Sequence, residues 1–590
     1  MIRNSMSRAR YALRLVGTLA AVAVLAAATS PPAASVADAA MKGDLAKVRA
    51  LIAQGASVST PQGDGMTALH WASMHGDADL AAMLLYAGAH AGATTRLGGY
   101  AALHLASQAG AAAAIKTLAA AGANVNAPTS TGATPLMLAA TSGKVDAVNA
   151  LLELSADPNA KETANGQTAL RFAAALDRAD VVRALLQHGA DATIASRTVD
   201  LTKVRAPEDV LQQEIRDAQT AQSAKLAAAS ASPVPSGPAP AMNAPGASAV
   251  AGVTRPFTFN ELIGTQGGLT ALHFAARQGA MRTIQTLVEM GANVNQVSPA
   301  DRTSPLVIAT INGHFDIAKY LLDHGAEPNL ASEAGMTPLY AVLNVEWAPK
   351  AFYPQPRAYL QQQTSYLELM QALLDKGADP NARVIRKIWF TQYNFDLLRV
   401  EEAGATPFWR AAYASDVAAM KLLVGRGADP DIRTTRPAQN DRFRQGGTRS
   451  GDDSKDHSGL PPVPTAGPDI PALLAAAGAG YGEGFAANAH RFAPTGMLAA
   501  VKYLVEELHA DVNARDADGN TPVHNAASRG DNEMIEYLVS KGADVKAVNR
   551  TGQTTVDMAN GPVQRTQPYP ETIKLLEGLG ATNNHKCVSC

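Results

Sequence analysis

Short apolar segments, separated by glycine and by polar turns, recur along most of the chain. One segment begins at Thr67-Ala68-Leu69-His70, and a similar one begins at Ala101-Ala102-Leu103-His104, 34 residues later. In both, alanines follow the start, a glycine ends the segment, and a second apolar segment ends at another glycine. A fixed period of this length predicts a repeat architecture rather than one globular core.

The same start returns many times, with Thr or Ser (Ala at residue 101) followed two residues later by an apolar side chain. Most neighbouring starts are 33 or 34 residues apart, and three larger intervals contain insertions. The starts lie at residues 67, 101, 134, 168, 270, 304, 337, 406, 521 and 554. With atypical units near residues 34 and 470, we count about 12 units.

The residues of each repeat predict two helices. Thr or Ser caps a helix by accepting a bond from a backbone N–H, and Pro suits the first helical position. Glycine ends each helix because it adopts the left-handed conformation without a steric penalty. The Asp- and Asn-rich segment after the second glycine predicts a turn. The fold class is therefore all-α.

The combination of threonine, leucine, histidine, two glycines and an Asp/Asn turn resembles the ankyrin repeat family, over most of residues 34–582. The resemblance implies a solenoid of helix-turn-helix units, here carrying insertions. It also implies protein binding through a concave face. In this family the histidines at positions 70, 104, 273 and 524 usually form hydrogen bonds within the repeat, so we interpret them as structural.

Composition divides the chain into segments. Residues 198–256 are rich in Ala, Pro and Ser and are predicted to be partly disordered, either as a loop on the turn side or as a hinge between two solenoids. The predicted organisation is a signal peptide at 1–28, repeats at 34–197, the insertion at 198–256, repeats with aromatic-rich insertions at 257–432, a disordered insertion at 433–468, repeats at 469–582 and a Cys-containing tail at 583–590.

The first 28 residues have the pattern of an export signal. Four arginines precede an apolar run of 14 residues, Leu15 to Ala28, which is short for a membrane span. We expect export and cleavage near Ala28, to the periplasm or the cell exterior. The alternative is an uncleaved N-terminal anchor. No later segment is predicted to cross a membrane.

The charge of the remaining chain argues against a nucleic-acid partner. Without the four arginines, 46 basic residues face 52 acidic ones, and the formal net charge moves from −2 to −6. No strongly basic stretch remains, whereas phosphate contacts require clustered Lys and Arg. The expected partners are one or more proteins.

Aromatic residues concentrate in one part of the chain. Between Tyr340 and Tyr413 lie 13 of the 30 aromatic residues, in and beside insertions at 345–362 and 384–402. Such residues dominate the energetics of protein interfaces. We therefore predict a partner surface, with a local core on the repeats as the alternative. The candidates are Trp347, Phe352, Tyr353, Trp389, Phe390, Tyr393, Phe395 and Trp409.

The two cysteines, Cys587 and Cys590, are the candidates for a disulfide. Export favours oxidation of this C-x-x-C pair to a local disulfide. Contact with a metal or with a haem partner is one alternative, and free or intermolecular thiols are another. The histidine that c-type haem attachment needs after the second cysteine is missing.

No catalytic, cofactor-binding or metal-binding pattern is recognisable. The glycines from Gly478 to Gly484 do not match the dinucleotide spacing, and the sequence contains neither a nucleophile elbow nor a His-Glu-x-x-His helix. We therefore predict a non-catalytic, exported scaffold for protein–protein interaction. The alternatives are an accessory to redox or metal/haem metabolism that uses the Cys pair, and a secreted effector directed at a host.

Overall fold

The computed structural model of the chain describes most of the predicted repeats. The residues described are 35–204, 215, 251, 255, 257–347, 358–388, 400, 402–438, 456, 458–480, 491–561 and 567–586. The chain divides into two compact units. The first contains residues 1–195 and 285–291, and the second contains residues 196–284 and 292–590.

The first unit contains five helix pairs between residues 35 and 195. In each pair a short first helix is followed, after a tight turn, by a second helix. The pairs are α1 Val36–Met41 and α2 Leu45–Ala53, α3 Ala68–Met74 and α4 Ala78–Tyr86, α5 Ala102–Ala109 and α6 Ala112–Ala120, α7 Pro135–Ser142 and α8 Val145–Glu153, and α9 Ala169–Ala175 and α10 Ala179–Gln187.

The second unit begins with a small strand pair and continues with further helix pairs. Strand β1 Thr198–Asp200, a 3₁₀ turn Leu201–Lys203, α11 Phe259–Ile263 and β2 Thr265–Gly267 come first. Helices α12 Ala271–Gln278 and α13 Met281–Glu289 follow in the sequence, and α13 contains residues assigned to both units. The later pairs are α14 Pro305–Ile311 and α15 Phe315–Asp323, α16 Pro338–Glu346 and α17 Tyr366–Asp375, α18 Pro407–Tyr413 and α19 Val417–Val424, α20 Ala472–Ala476 and α21 Met497–Lys502, α22 Pro522–Ala527 and α23 Asn532–Ser540, and α24 Thr555–Ala559 and α25 Pro570–Gly578. A 3₁₀ turn, Ala358–Gln361, precedes α17, and a π-helical turn, Tyr503–Glu507, continues α21.

The helices begin and end as the sequence predicts. Thr406, for example, caps α18 by accepting a bond from the N–H of Trp409, with Pro407 at the first helical position. Gly279 ends α12 with φ +78°, and a Cβ atom there would lie 2.6 Å from the ring of His314. Glycine is therefore needed at that position both for its backbone conformation and for the close approach of the next repeat.

The core lies between adjacent repeats. Within each unit, neighbouring first helices pack against one another, as do α3, α5, α7 and α9, and first helices also pack against second helices. The leucines two residues after each cap fill this space, and Leu69, Leu103 and Leu136 are each only 1% exposed. Burying one such side chain contributes roughly 1.5–3 kcal/mol, so adjacent repeats stabilise each other. The fold is the predicted all-α solenoid.

A ladder of asparagines joins the turns of successive repeats. The Nδ2 atom of Asn329 donates to the carbonyl of Gly377 at 2.8 Å, and its Oδ1 atom accepts from the N–H of Asp379 at 2.8 Å. The same pair of bonds to the following repeat is made by Asn126, Asn159, Asn295, Asn381 and Asn513. The sequence pattern predicted only that these residues form turns.

Three insertions of the second unit leave the stack from the turn that precedes a first helix. The segment between β1 and β2 starts and ends in an antiparallel ladder, with Val199 opposite Gln266. The two ends of a second insertion are joined by backbone hydrogen bonds of Val384 with Gly404 and Ala405. The two ends of a third insertion are joined by an antiparallel bridge between Thr435 and Pro468. At each of these turns, the residues before the insertion are therefore paired through their backbones with the residues after it.

Several predicted segments lie outside the described residues, wholly or in part. They are the signal-peptide segment at 1–28, most of the insertion at 198–256, residues 439–455 and 457 of the insertion at 433–468, and residues 587–590 of the tail. Within the described part of the chain, no helix is long and apolar enough to cross a membrane.

Candidate protein-binding surface

The residue four places after each helix cap forms a column along the first unit. These residues are Trp71, Leu105, Leu138 and Phe172, from the four consecutive first helices α3, α5, α7 and α9. We name them the apolar column. Leu105 is 6% exposed, and the other three are half-buried. All four side chains are apolar, although the column borders solvent.

Further apolar side chains extend this surface. Met74 follows Trp71 by one helical turn and is 42% exposed, so both lie on the same face of α3. Leu97, in the turn before α5, is 70% exposed. The indole N–H of Trp71 donates to Oε1 of Gln62 at 2.8 Å, so its polar atom is satisfied within the chain. Trp71 and Met74 together form exposed apolar surface on α3, and clusters of exposed apolar side chains are typical of interaction sites.

The equivalent positions in three repeats of the second unit are buried. Ala341, Arg410 and Ala475 are exposed by 0%, 2% and 1% respectively. One helical turn further on, Asn344 and Tyr413 are also buried. In these repeats the first helices therefore offer no apolar surface comparable to that of the first unit.

The four repeated histidines connect one repeat to the next, which confirms their structural role. The N–H of Thr67 donates to Nδ1 of His70 at 3.1 Å, and Nε2 of His70 lies 3.0 Å from the carbonyl oxygen of Tyr100. A backbone N–H only donates and a carbonyl only accepts, so the imidazole is neutral with its proton on Nε2. His104, His273 and His524 make the corresponding bonds to the carbonyls of Ala127, Thr303 and Gln553.

Burial keeps these imidazoles uncharged. It lowers the pKa of His70 and His104, and it lowers the pKa of His273 and His524 to about 4. Desolvation penalises the charged form, and the backbone hydrogen bonds only partly oppose this effect. None of the four is therefore a proton donor or acceptor poised for chemistry near neutral pH.

Trp409, one of the predicted binding residues, takes the place of this histidine in its own repeat. It lies three residues after the cap Thr406 and is 0% exposed. Its indole N–H donates to the carbonyl of Ile470, the residue before the next helix cap, at 2.9 Å. The ring also stacks on Tyr413, with centroids 5.2 Å apart. Because Trp409 fills the interior between repeats, it is not available to a partner.

Trp347, a second predicted binding residue, is also in the interior, with 8% of its surface exposed. Its indole N–H donates to Oδ2 of Asp416 at 2.9 Å, and the hydroxyl of Tyr366 donates to the same oxygen at 2.9 Å. Burial and the Asp416 carboxylate raise the pKa of Tyr366. For Trp347 and Trp409 the structure favours the local core over the partner surface.

The other predicted site residues lie outside the described part of the chain. They are Phe352, Tyr353, Trp389, Phe390, Tyr393, Phe395, Cys587 and Cys590. Among the residues that are described, no three His, Cys, Asp or Glu side chains are grouped so as to hold a metal ion.

Sequence reasoning missed the apolar column, although the signal was present. Its residues recur with the repeat period, but a periodic apolar position is usually interpreted as core. Only the exposed fractions separate this column from the leucines two positions earlier. Sequence reasoning also missed the buried polar cluster around Arg410 and Asp416, because these side chains bond to Asn344, Trp347 and Tyr366, which lie 50 to 69 residues away in the sequence.

Family models match the chain in five places. The model for ankyrin repeats in three copies matches residues 36–129, 103–196 and 250–332, the model for many copies matches 489–539, and the single-repeat model matches 403–435. Together these matches cover just over half of the chain. The chain belongs to the ankyrin repeat family. Ankyrin repeats indicate protein–protein interaction, and proteins built from them are typically non-catalytic.

Three curated ankyrin-repeat relatives show how partial the individual similarities are. Protein phosphatase 1 regulatory subunit 27 of Homo sapiens is 37% identical over 89 residues, which are 15% of this chain and 53% of that protein. A protein of Rickettsia felis named as an ankyrin repeat protein is 32% identical over 127 residues, 21% of this chain and 50% of that protein. Alpha-latrocrustotoxin-Lt1a of Latrodectus tredecimguttatus is 25% identical over 261 residues, 44% of this chain and 13% of the toxin. The chain thus spans about half, or less, of each relative's length.

Proposed function

We propose that this ankyrin-repeat protein is an exported, non-catalytic scaffold that binds one or more proteins through the apolar column of its first unit. The observation that carries the proposal is the partial exposure of Trp71, Leu138 and Phe172 along a row of packed helices. Aromatic and aliphatic side chains on a rigid support lose little conformational freedom on binding, which favours their use as interface anchors.

The comparison with three repeats of the second unit supports this location. Positions that are half-buried in the first unit are buried at Ala341, Arg410 and Ala475 in the second. A partner that docks on first helices therefore finds apolar surface in the repeats that start at residues 67, 101, 134 and 168. It does not find such surface in the repeats that start at residues 337, 406 and 471. The expected partner presents its own apolar side chains, because the column offers few charges to pair.

The proposed location in the cell is the bacterial periplasm or the exterior. Its support is the sequence pattern of residues 1–28, where four arginines precede an apolar run. Fractionation of cells that produce the full chain tests it, together with N-terminal sequencing of the mature protein. We expect cleavage near Ala28, and recovery of an uncleaved cytoplasmic protein contradicts the export part of the proposal.

Partner capture by variants that introduce negative charge tests the binding surface. We expect Trp71→Glu combined with Phe172→Glu to lose specific partners in affinity purification after mild cross-linking. The matched control is Tyr86→Glu, because Tyr86 is 96% exposed but lies on the second helix α4. Circular dichroism establishes that both proteins remain helical. Retention of every partner by the double variant contradicts the proposed surface.

A second surface is proposed on the aromatic residues of the insertions that the structure does not describe. They are Phe352, Tyr353, Trp389, Phe390, Tyr393 and Phe395, and their support is compositional. Deletion of whole insertions is a poor test, because Val384, Ile388 and Val400 are buried in the stack. Substitution of the six aromatic residues by Ser is a better one. Loss of a partner that the apolar-column variant retains supports a separate second surface.

A further inference from the structure

One turn of the second unit carries an arginine where other repeats have glycine. At nine of the ten repeat starts, the residue two places earlier is a glycine with φ between +65° and +90°. Before Ser304 this residue is Arg302, and its φ is +61°. Residues other than glycine are strained in this conformation, and such residues are concentrated at ligand-binding and active sites. The Arg302 side chain is therefore held at a position that backbone preference alone would give to glycine.

The side chains of Arg302 and Arg383 line the same open cavity, whose volume is about 560 Å³. The cavity lies beside the turn at residues 329–335, and the two arginines belong to the turns before and after it. Backbone N–H to carbonyl bonds join these successive turns, from Glu333 to Asp301 at 2.7 Å and from Ile385 to Ala334 at 2.9 Å. A cavity of this volume has room for a few residues of a peptide.

The guanidinium of Arg383 is fixed in place without a counter-ion. Its Nε donates to the carbonyl of Gly404 at 3.0 Å, and its Nη2 donates to the carbonyl of Arg433 at 2.8 Å. Both acceptors are neutral, and Nη1 has no acceptor among the residues that the structure describes. The exposed side chain of Arg302 forms no ion pair with them either. Both cations are therefore available to an anionic group in the cavity.

The rest of the described lining favours a singly charged anion with an apolar neighbour. Asp379 supplies its one carboxylate, so with the two arginines the lining carries a net charge of +1. A carboxylate ligand balances that charge, whereas a phosphate dianion would exceed it. Leu330 and Ile385 add apolar surface, and Ile385 is 71% exposed.

We propose that this cavity binds an acidic peptide segment of a partner protein, in which an Asp or Glu side chain stands beside an apolar one. The carboxylate accepts charge-assisted hydrogen bonds from Arg302 and from Nη1 of Arg383. The apolar side chain packs on Ile385 and removes its surface from water. The site belongs to the second unit and does not rest on the apolar column.

Titration calorimetry of the full chain at low salt with two blocked peptides tests the proposal. The peptides are acetyl-Leu-Glu-Leu-amide and acetyl-Leu-Gln-Leu-amide, which differ in the charge of the central side chain. We expect the Glu peptide to bind roughly tenfold more tightly, because hydrogen bonds between charged groups are stronger than those to a neutral amide. Equal affinity for the two peptides, or binding of neither, overturns the proposal.

Arg302→Gly tests the arginine itself, because it introduces the residue that the other nine starts have. Glycine adopts φ +61° without strain, so this variant should melt no lower than the unmodified chain. We expect it to bind the Glu peptide as weakly as the Gln peptide. A variant that keeps the full preference for the Glu peptide contradicts the proposed role of Arg302.

Lys376→Gln is the matched control for the loss of one positive charge. Lys376 is exposed at the end of α17 and does not line the cavity. This variant should prefer the Glu peptide as the unmodified chain does, and an equal loss in both variants would show a general charge effect and overturn the site. Competition distinguishes the anion: stronger displacement of the Glu peptide by inorganic phosphate than by acetate, at equal ionic strength, overturns the choice of a carboxylate.

Discussion

The indole nitrogen of Trp409 lies 2.9 Å from the carbonyl oxygen of Ile470, 61 residues further along the chain. His273 makes the equivalent contact with Thr303 at a separation of only 30 residues. The insertion between Trp409 and Ile470 has therefore lengthened the connection without changing the bond that joins one repeat to the next. The larger ring reaches the same acceptor from the histidine position.

Replacement of Trp409 should affect stability strongly. Trp409→Ala removes a fully buried ring, and truncation of buried Trp or Phe typically costs about 3–5 kcal/mol. We expect a large shift of the urea unfolding transition. The comparison is Trp71→Ala, whose ring is half-buried and should cost less than half as much while weakening partner binding. If the two variants lowered the free energy of unfolding equally, the prediction that Trp409 contributes more to the interior than Trp71 would be wrong.

The Asp416 carboxylate gives a second stability prediction. Asp416→Asn can still cap α19 through Oδ1, but it presents N–H groups to the donors of Trp347 and Tyr366. Buried donors without acceptors cost about 1–3 kcal/mol each, so we expect a loss of at least about 2 kcal/mol in urea unfolding. Asp44→Asn is the control, because Asp44 caps α2 at an exposed position where Asn serves equally well. A similar small effect of both substitutions contradicts the proposed cluster.

The buried histidines predict loss of stability in mild acid. The pKa of His273 and His524 is lowered from 6.5 to about 4, so as pH falls through this range the unfolded chain binds protons that the folded chain excludes. Stability attributable to each imidazole is complete above pH 6.5 and decreases toward pH 4, by up to roughly 3 kcal/mol.

Unfolding free energies at several pH values test this effect. Because carboxylates titrate over the same range, the informative quantity is the difference between the unmodified chain and His273→Gln. Glutamine does not titrate, so the variant should lose less stability between pH 6.5 and pH 4 than the unmodified chain. Parallel pH profiles would show that the imidazole is not excluded from protonation in the folded state.

The asparagine ladder predicts a modest effect at an exposed position. Asn329→Ala removes bonds to Gly377 and Asp379, but water can replace part of what is lost. We expect a decrease of about 1 kcal/mol in unfolding free energy. Asn165→Ala, at an exposed turn with no side-chain bond to the next repeat, should change stability by less than about 0.5 kcal/mol. If Asn329→Ala and Asn165→Ala changed the free energy of unfolding equally, the asparagine ladder would make no measurable contribution to stability.

Repeat periodicity was enough to predict the helix pairs. Thr, Pro and Gly act locally, through capping, fixed φ and the left-handed conformation, so Thr406, Pro407 and Gly279 have the roles expected from neighbouring residues alone. The asparagine ladder was not predicted, because the partners of Asn381 lie 46 and 48 residues away, beyond an insertion. Contacts at that distance follow from the stacking of repeats and not from local pattern.

The candidate surface was harder to predict, because exposure is a tertiary property. Trp71 and Trp409 are both aromatic residues of a first helix, yet one is half-buried and the other is 0% exposed. Aromatic density directed attention to Trp347 and Trp409, which pack in the interior. Trp409 lies three places after its cap and contacts the next repeat, whereas Trp71 lies four places after its cap and is half-buried.

Site-specific photo-cross-linking in cells tests the central claim most directly. A photo-reactive amino acid is placed at Met74, which is 42% exposed beside the apolar column, and in a parallel strain at Tyr86, which is 96% exposed on a second helix. The account predicts discrete protein adducts, identified by mass spectrometry, from position 74 but not from position 86. Adducts of equal yield and identity from both positions, or none from position 74, would contradict recognition by the apolar column.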